Sequence, residues 1–362
     1  MELQSVVEST AAYEQWLGSR LPVVAADLER KHRLMRRDAF TFLRATYYRF
    51  VELLPVVAPE LGEAPAVAGV GDLHAENFGT WRDQEGRLAW GVNDFDEADT
   101  VPYTADLARL ATSAVLACRI DRLRLPEPAA VAAVLAGYGH GITEGASPVV
   151  LAERRRWLAA LVRPLLDDER RFWRLVESWP EAEEPLPDPA RALLAAVAPG
   201  AEWPHAVRTR VAGVGSLGRP RFVAVGEWQG ALAARELKQL PPPATRFVRR
   251  EGPPQRARVR DSDPIARERD GWLVRRLSPD DVKVDLARLG PPRADRRLLT
   301  AMGRETARIH LRTPRAAAAI AADLDGREPD WLRAAAARLA EAVEADFADW
   351  RRASRSPARR SA

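Results

Sequence analysis

The chain is poor in the features that mark several large classes of protein. Cys118 is the only cysteine in 362 residues, so an internal disulfide is excluded and a reducing compartment fits best. Cys118 itself reads as a small apolar residue on a helix. No apolar run approaches the roughly 18 residues needed to cross a bilayer. The N-terminal Met1-Glu2-Leu3-Gln4-Ser5 lacks the basic-then-apolar pattern of a secretory signal, and a cytoplasmic location is the expectation. Lysine is also scarce: of 55 basic side chains only Lys31, Lys238 and Lys283 are lysines. Such a bias usually reflects a GC-rich genome, and it makes each lysine stand out. Nor is there a body-wide excess of one charge. Without the arginines of the last twelve residues the net charge of +4 becomes −1. Residues 351–362 therefore read as a disordered basic tail, and a nucleic-acid binder rests only on that tail and on the arginines of 246–260.

What is present is length and a usable pattern. A chain of this size exceeds one typical core and suggests two lobes. Residues 1–57 read as helical, with Val24, Leu28, Leu34, Phe40, Leu43, Tyr47 and Phe50 near helical spacing and Pro55 and Pro59 ending the segment. Residues 66–72 and 88–95 are short apolar runs, read as two strands joined by the polar stretch 81–86, with carboxylates at the strand ends. Residues 104–196 are mostly helical (105–119, 128–137 and 148–179), followed by a linker-like patch at Pro180, Pro185, Pro187 and Pro189. From 206 the pattern alternates. Residues 226–230 read as a turn, 231–240 as a return strand and 272–277 as a further strand. Residues 294–322 and 330–352 are Ala-rich amphipathic helices. The expected organisation is a helical lobe (1–204) with a catalytic loop and metal-binding hairpin, a β-rich lobe (205–285), helices returning to the first lobe (286–350), and the tail.

The densest chemistry lies in Gly71-Asp72-Leu73-His74-Ala75-Glu76-Asn77 and Asn93-Asp94-Phe95-Asp96. Phosphoryl transfer from a nucleotide needs a carboxylate to orient an acceptor hydroxyl, with amide and carboxylate oxygens to hold Mg²⁺. Asp72 suits the first task; Asn77 and Asp94 suit the second, with Asp96, two residues on, as an auxiliary ligand. Taken singly each is as well explained as a turn carboxylate; the set points to chemistry. His74 reads as a loop-shaping residue that bonds its own backbone, ahead of a general base. Asp106 reads as an acidic helix cap, or as a brace that reaches back to the Asp72 loop. Gly213-Val214-Gly215-Ser216-Leu217-Gly218 is a glycine turn between strand-like runs, able to show backbone N–H groups to phosphate oxygens. It lacks the ending of a Walker loop, and a strand follows where a dinucleotide fold wants a helix. Lys238 falls on the strand after that turn and its partner, where kinase-type sites keep the lysine that touches the phosphates.

The 71–77 loop resembles the Gly-Asp-x-His-x-x-Asn loop of aminoglycoside and choline-type phosphotransferases, and Val92-Asn93-Asp94-Phe95 with Ala105-Asp106-Leu107-Ala108 is similar to their metal-binding and later Asp-Leu-Ala segments. More closely, residues 71–79, 93–98, 213–218, Lys238 and the 35–44 segment resemble a bacterial domain of unknown function, number twenty-two fifty-two, over roughly 30–320. That resemblance implies an α+β, protein-kinase-like bilobal fold. Because the catalytic loop precedes the glycine flap and lysine, it also implies a circular permutation that inserts the nucleotide lobe between helical segments of a mostly α lobe. The helix with Gly303, Ala307 and His310 resembles the one that precedes the catalytic loop in phosphotransferases. The expected partners are ATP, Mg²⁺ and an unidentified hydroxyl acceptor whose pocket lies among the helices of 104–196. Glu251 is the best-spaced acidic partner for Lys238. The alternatives are transfer of AMP in place of phosphate and a non-catalytic nucleotide-binding regulator.

Overall fold

A computed structural model describes residues 3–151, 156–166, 168–200, 202–249, 263, 265–286 and 292–355. The chain begins with α1 (Val6–Gly18), α2 (Ala25–Leu34), α3 (Ala39–Ala45) and α4 (Tyr47–Val57). Local chemistry starts two of these. Ser5 accepts from the Glu8 N–H while the Glu8 carboxylate accepts from the Ser5 N–H, a reciprocal cap. The Asp38 carboxylate accepts from the Thr41 N–H at 2.6 Å and opens α3.

Four short strands follow: β1 (Ala66–Gly69), β2 (Phe78–Arg82), β3 (Leu88–Val92) and β4 (Asp99–Pro102). They pair differently from the sequence reading. β1 pairs antiparallel with β4, and β2 with β3, so the two apolar runs do not form one hairpin. The residues 78–82 hold a strand where a polar loop was expected to begin, because Gly79 and Arg82 mask a period-2 pattern only five residues long. β5 (Val149–Val150) joins the other edge of β3. Gly79 is required by close approach: a Cβ there would lie 2.4 Å from the Val282 carbonyl oxygen and 2.6 Å from Asn93 Nδ2. The 282–284 segment runs antiparallel alongside β2 at that point, with Thr80 N donating to Val282 O at 2.9 Å and Val284 N to Phe78 O at 2.8 Å.

The next helices are α5 (Tyr103–Arg119), α6 (Glu127–Glu144), α7 (Arg156–Val162), α8 (Glu169–Glu177) and α9 (Asp188–Val197). A five-stranded antiparallel sheet follows from β6 (Ala206–Thr209), β7 (Arg221–Trp228), β8 (Ala231–Gln239), β9 (Arg267–Arg269) and β10 (Trp272–Leu277), in the order β6-β7-β8-β10-β9. α10 (Ala244–Arg249) lies between β8 and β9 in the chain. The expected turn at 226–230 narrows to Gln229-Gly230, both with positive φ. The chain closes with α11 (Pro292–His310), α12 (Ala316–Asp325) and α13 (Trp331–Ala353). Arg315, at φ 64°, separates α11 from α12, where one helix was expected. The first residues of the expected tail are the end of α13; residues 356–362 and Glu251 lie outside the described residues.

The architecture is mixed, 51% helix and 16% strand, so the small antiparallel sheets are set among helices. One hydrophobic cluster joins the two ends of the chain, from Val6, Tyr13 and Phe40 through Leu107, Ala111 and Tyr138 to Leu299, Leu339 and Trp350. The five-stranded sheet has its own cover. α9 packs Leu193 and Leu194 against Leu237 and Val274 on one face, and α8 packs Phe172 and Val176 against Val223 and Leu277 on the other. By packing, the β-rich unit therefore begins with α8, earlier than the boundary expected at 204. The prolines of 180–189 join its two covering helices.

α6 and α11 meet backbone to backbone. A Cβ on Gly303 would lie 2.0 Å from Val134 O, and one on Gly137 2.0 Å from Thr300 O. Gly303→Ala should therefore lower unfolding stability by about 1–3 kcal/mol. Gly139→Ala, on the open side of α6 with no atom within 4 Å of the new Cβ, should raise it by up to about 1 kcal/mol. Urea denaturation of both variants checks the pair; equal effects would contradict this packing.

Candidate functional site

Asp72 follows β1 in a loop that other elements hold in place. From the first turn of α5, Asp106 accepts from the N–H of Val70 at 2.6 Å and of Gly71 at 2.9 Å. His310, at the end of α11, sits with Nε2 3.1 Å from the same carboxylate and Nδ1 2.9 Å from the Tyr138 hydroxyl. Asp106 thus acts as the brace and not as a cap; α5 starts without a side-chain cap. Gly71 takes φ 81° there, and a Cβ would strike the Glu97 carbonyl at 2.2 Å. Ser113 Oγ accepts from Ala75 N at 3.0 Å.

The Asp72 carboxylate takes a hydrogen bond on Oδ1 from Nη2 of Arg109 at 2.7 Å. Arg109 is fully buried, also donates to Leu43 O at 2.7 Å, and lies over the rings of Tyr47 and Phe50. Burial raises the Asp72 pKa, against the opposing pull of Arg109. Asn77 fastens this loop to the next. Its Nδ2 donates to Asp72 O at 3.0 Å and to Asp94 O at 2.9 Å, and its Oδ1 accepts from Asp94 N at 3.1 Å.

Lys238 reaches this pair of loops from β8. Its ammonium is 2.5 Å from Asp96 Oδ1 and 3.1 Å from Asp94 Oδ1. The acid partner sought at Glu251 is thus supplied, among the described residues, by Asp94 and Asp96. Lys283, on the segment that bridges to β2, lies 3.8 Å from Asp94 Oδ2 with 43% of its side chain exposed. Beside Lys238 on the same face of β8 is Glu236, fully buried among Arg210 (2.5 Å), Arg221 (3.0 Å) and Arg275 (2.6 Å). Burial alone would push Glu236 up, but Arg275, Arg221 and Arg210 together hold it well below the usual carboxylate range. Arg221 also donates to Ser216 Oγ at 2.8 Å, which ties the glycine turn to the sheet.

That turn joins β6 to β7, as expected of a hairpin. Gly213 and Gly218 take positive φ. Gly215 lies over the Asp72 loop: a Cβ there would be 3.0 Å from Arg44 O and 3.4 Å from Asp72 Oδ2. Most of the predicted site residues are thus gathered in one place. Asp72, His74, Asn77, Asp94, Asp96, Gly213, Gly215 and Ser216 line a cleft with about 640 Å³ of open space, part of it continuous with solvent. Lys238 abuts it through Asp94 and Asp96. Gly218 does not line it and instead packs on Leu28 of α2. Among the described residues the cleft takes no lining residue from 104–196, where an acceptor pocket was expected; Tyr13, Lys31, Arg44, Tyr47 and Tyr48 supply that wall.

Several participants escaped sequence reading. Arg109 is one arginine of many, and Arg219, which pairs with Glu97 at 2.8 Å, is another. Tyr13 sits on a helix that reads as ordinary core. Lys31 and Lys283 carried a usable signal in their rarity. His74 departs from expectation. Its Nδ1 is buried with no hydrogen-bond partner among the described residues, and burial keeps the ring neutral, with a pKa well below its ordinary value. Asp106, Asn77 and Ser113 do the loop-shaping instead.

The donor set suits a hard divalent cation in part. Asn77 Oδ1 accepts one hydrogen bond and keeps a second lone pair, and the Asp94 carboxylate is adjacent. Among the described residues no group of three or more His, Cys, Asp or Glu side chains is arranged to hold a metal ion. A cation here would take the form in which phosphate and water complete the shell.

Residues 23–170 match the family model described as "Uncharacterized protein conserved in bacteria (DUF2252)". The DUF2252 match takes in the Asp72 and Asp94 loops and ends before the glycine turn and Lys238, short of the span the sequence resemblance suggested. No curated protein and no solved structure matches the chain. No helix among the described residues is long and apolar enough to cross a membrane.

Asp106→Ala would leave the buried N–H groups of Val70 and Gly71 without an acceptor. It should cost about 3 kcal/mol of unfolding stability, read by chemical denaturation. A loss under about 0.5 kcal/mol, the range of ordinary surface changes, would show that the brace does not hold the loop.

Proposed function

We propose that this protein is a Mg²⁺/ATP-dependent phosphotransferase of protein-kinase-like, circularly permuted fold. The observation that carries this reading is a convergence across the chain. An ammonium from the third strand of an antiparallel sheet, Lys238, comes within 3.1 Å of Asp94, while the glycine turn from the same sheet lies over Asp72. Those are the relative positions that a triphosphate held between a glycine flap and a metal-binding carboxylate requires. The chain order, loop before flap, fits the permutation.

In this reading the Asp72 carboxylate orients the acceptor hydroxyl and receives its proton as the acceptor oxygen bonds to the γ-phosphorus. The bond from that phosphorus to the ADP oxygen breaks. Oδ1 is held by Arg109, which leaves Oδ2 on the side of the glycine turn, and the upward shift of the Asp72 pKa by burial makes it a better proton acceptor. Asn77 and Asp94 would hold Mg²⁺, which when bound offsets charge on the phosphate oxygens, with Asp96 as auxiliary. Lys238 and Lys283 flank Asp94 and would meet the phosphates. Gly213, Gly215 and Ser216 would cover them; Gly218, seated on Leu28, shapes the turn.

Mg·ATP should raise the melting temperature of the full chain, because a ligand bound only by the folded state stabilises it. Asp72→Asn should keep that rise while losing at least about 100-fold in turnover, with the product identified by mass as phosphorylated acceptor and not an AMP adduct. No rise at millimolar nucleotide sinks the proposal. A rise without turnover in the wild type against a broad set of metabolites would favour a nucleotide-binding regulator.

A further inference from the structure

Lys238 and Lys283 flank Asp94. The third lysine, Lys31, lines the same cleft, and the reading above gives it no task. It belongs to α2, where it alone is buried, at 3% exposure. A lysine as the one inward residue of a helix inverts the usual arrangement. α2 is also fixed against the glycine turn, with Val24 N donating to Gly218 O at 3.0 Å and Leu28 packed on Gly218.

The Lys31 ammonium lies 5.8 Å from the ring centroids of both Tyr13 and Tyr48, which stack on one another at 4.1 Å. Among the described residues it has no carboxylate within ion-pair distance. The acids whose fields reach it are already engaged: Glu14 with His32 at 2.6 Å, Glu97 with Arg219 at 2.8 Å and with Ala244 N at 2.7 Å, and Asp72 with Arg109. Arg219 repels it. A buried cation with only two aromatic faces for company is costly. An anion brought by a ligand would offset that cost.

We infer that Lys31 anchors an anionic group of the acceptor, so that the acceptor is a small hydroxyl compound bearing a carboxylate or a phosphate. Its charge rests on the Lys31 ammonium and its hydroxyl faces Asp72. The acceptor's identity as such rests on the phosphotransferase reading; anion binding at Lys31 does not. The stacked tyrosines form the apolar floor that strengthens the charge pair by excluding water. Burial, with Arg219 adding to it, pushes the Lys31 pKa down to about 8, which leaves the amine mostly charged at neutral pH.

The chain's three lysines make a direct test possible. Lysine labelled with ¹³C gives three ε-methylene NMR signals, and Lys238→Arg and Lys283→Arg assign the Lys31 signal by elimination. Inorganic phosphate and sodium acetate are titrated separately at constant ionic strength, with Mg·AMP-PNP as a third arm. A saturable millimolar shift of the Lys31 signal with phosphate alone indicates a phosphorylated acceptor, and with acetate alone a carboxylate. Failure of both to move it overturns the proposal, as does movement with Mg·AMP-PNP only. If Lys31 responds to the anion while Lys238 and Lys283 ignore Mg·AMP-PNP, the nucleotide reading falls and the anion site stands. Lys31→Met provides a second readout. In the absence of anion it should melt above the wild type at pH 7, with the gap closing from pH 8 toward 10.5. Across that window the unfolded wild type binds the proton that its folded form has released, so wild-type stability rises. A lower melting temperature at pH 7 that does not recover with pH would count against an uncompensated charge.

Discussion

The position of one ammonium governs the site. Lys238 is almost wholly buried, and a cation in that position persists only with good partners; removing one side of such a pair costs about 3–5 kcal/mol. Its partners, Asp94 and Asp96, come from a loop more than a hundred residues earlier. This one contact therefore couples the five-stranded sheet to the helical body and sets how far the glycine turn stands from Asp72. Around it the charges are arranged in nested pairs, Arg109 behind Asp72, three arginines about Glu236 and Arg219 on Glu97. Each carboxylate at the site is held by a cation from another element.

The backbone of the site is held by buried polar side chains. Asp106 and Asn77 between them occupy donors and acceptors of the two acid-bearing loops. The glycine contacts of α6 with α11 bring His310 to Asp106. A residue deep in the hydrophobic core thus orients, through one carboxylate, the loop that presents Asp72. Such support holds the Asp72 side chain in a fixed position.

Much of the fold was legible where the pattern was long. The helices of 1–57, the helix from 103 to 119 and the strands at 231–239 and 272–277 follow from periodicity. Short strands were not. β2 hides behind Gly79 and Arg82, and β1 pairs with β4 because the pairing is chosen by the loops that Asp106 and Asn77 fix, which no five-residue window contains. The split between α11 and α12 at Arg315 had a signal in Pro314, directly before it, which the Ala-rich helical pattern on both sides outweighed. His74 read as a loop-shaper because histidines in tight loops usually are; here other residues had taken that task.

The sequence by itself determined which residue types stand at the acid-bearing loops, the glycine turn and the lysine strand, because those are local choices of backbone and chemistry. Only the tertiary structure decided that Asp96 would answer Lys238, that Arg109 would stand behind Asp72, and that all three lysines would gather about one cleft. Ion pairs between residues 37 or 144 positions apart leave no trace in local spacing. They are selected by burial, which penalises every charge that arrives without a partner.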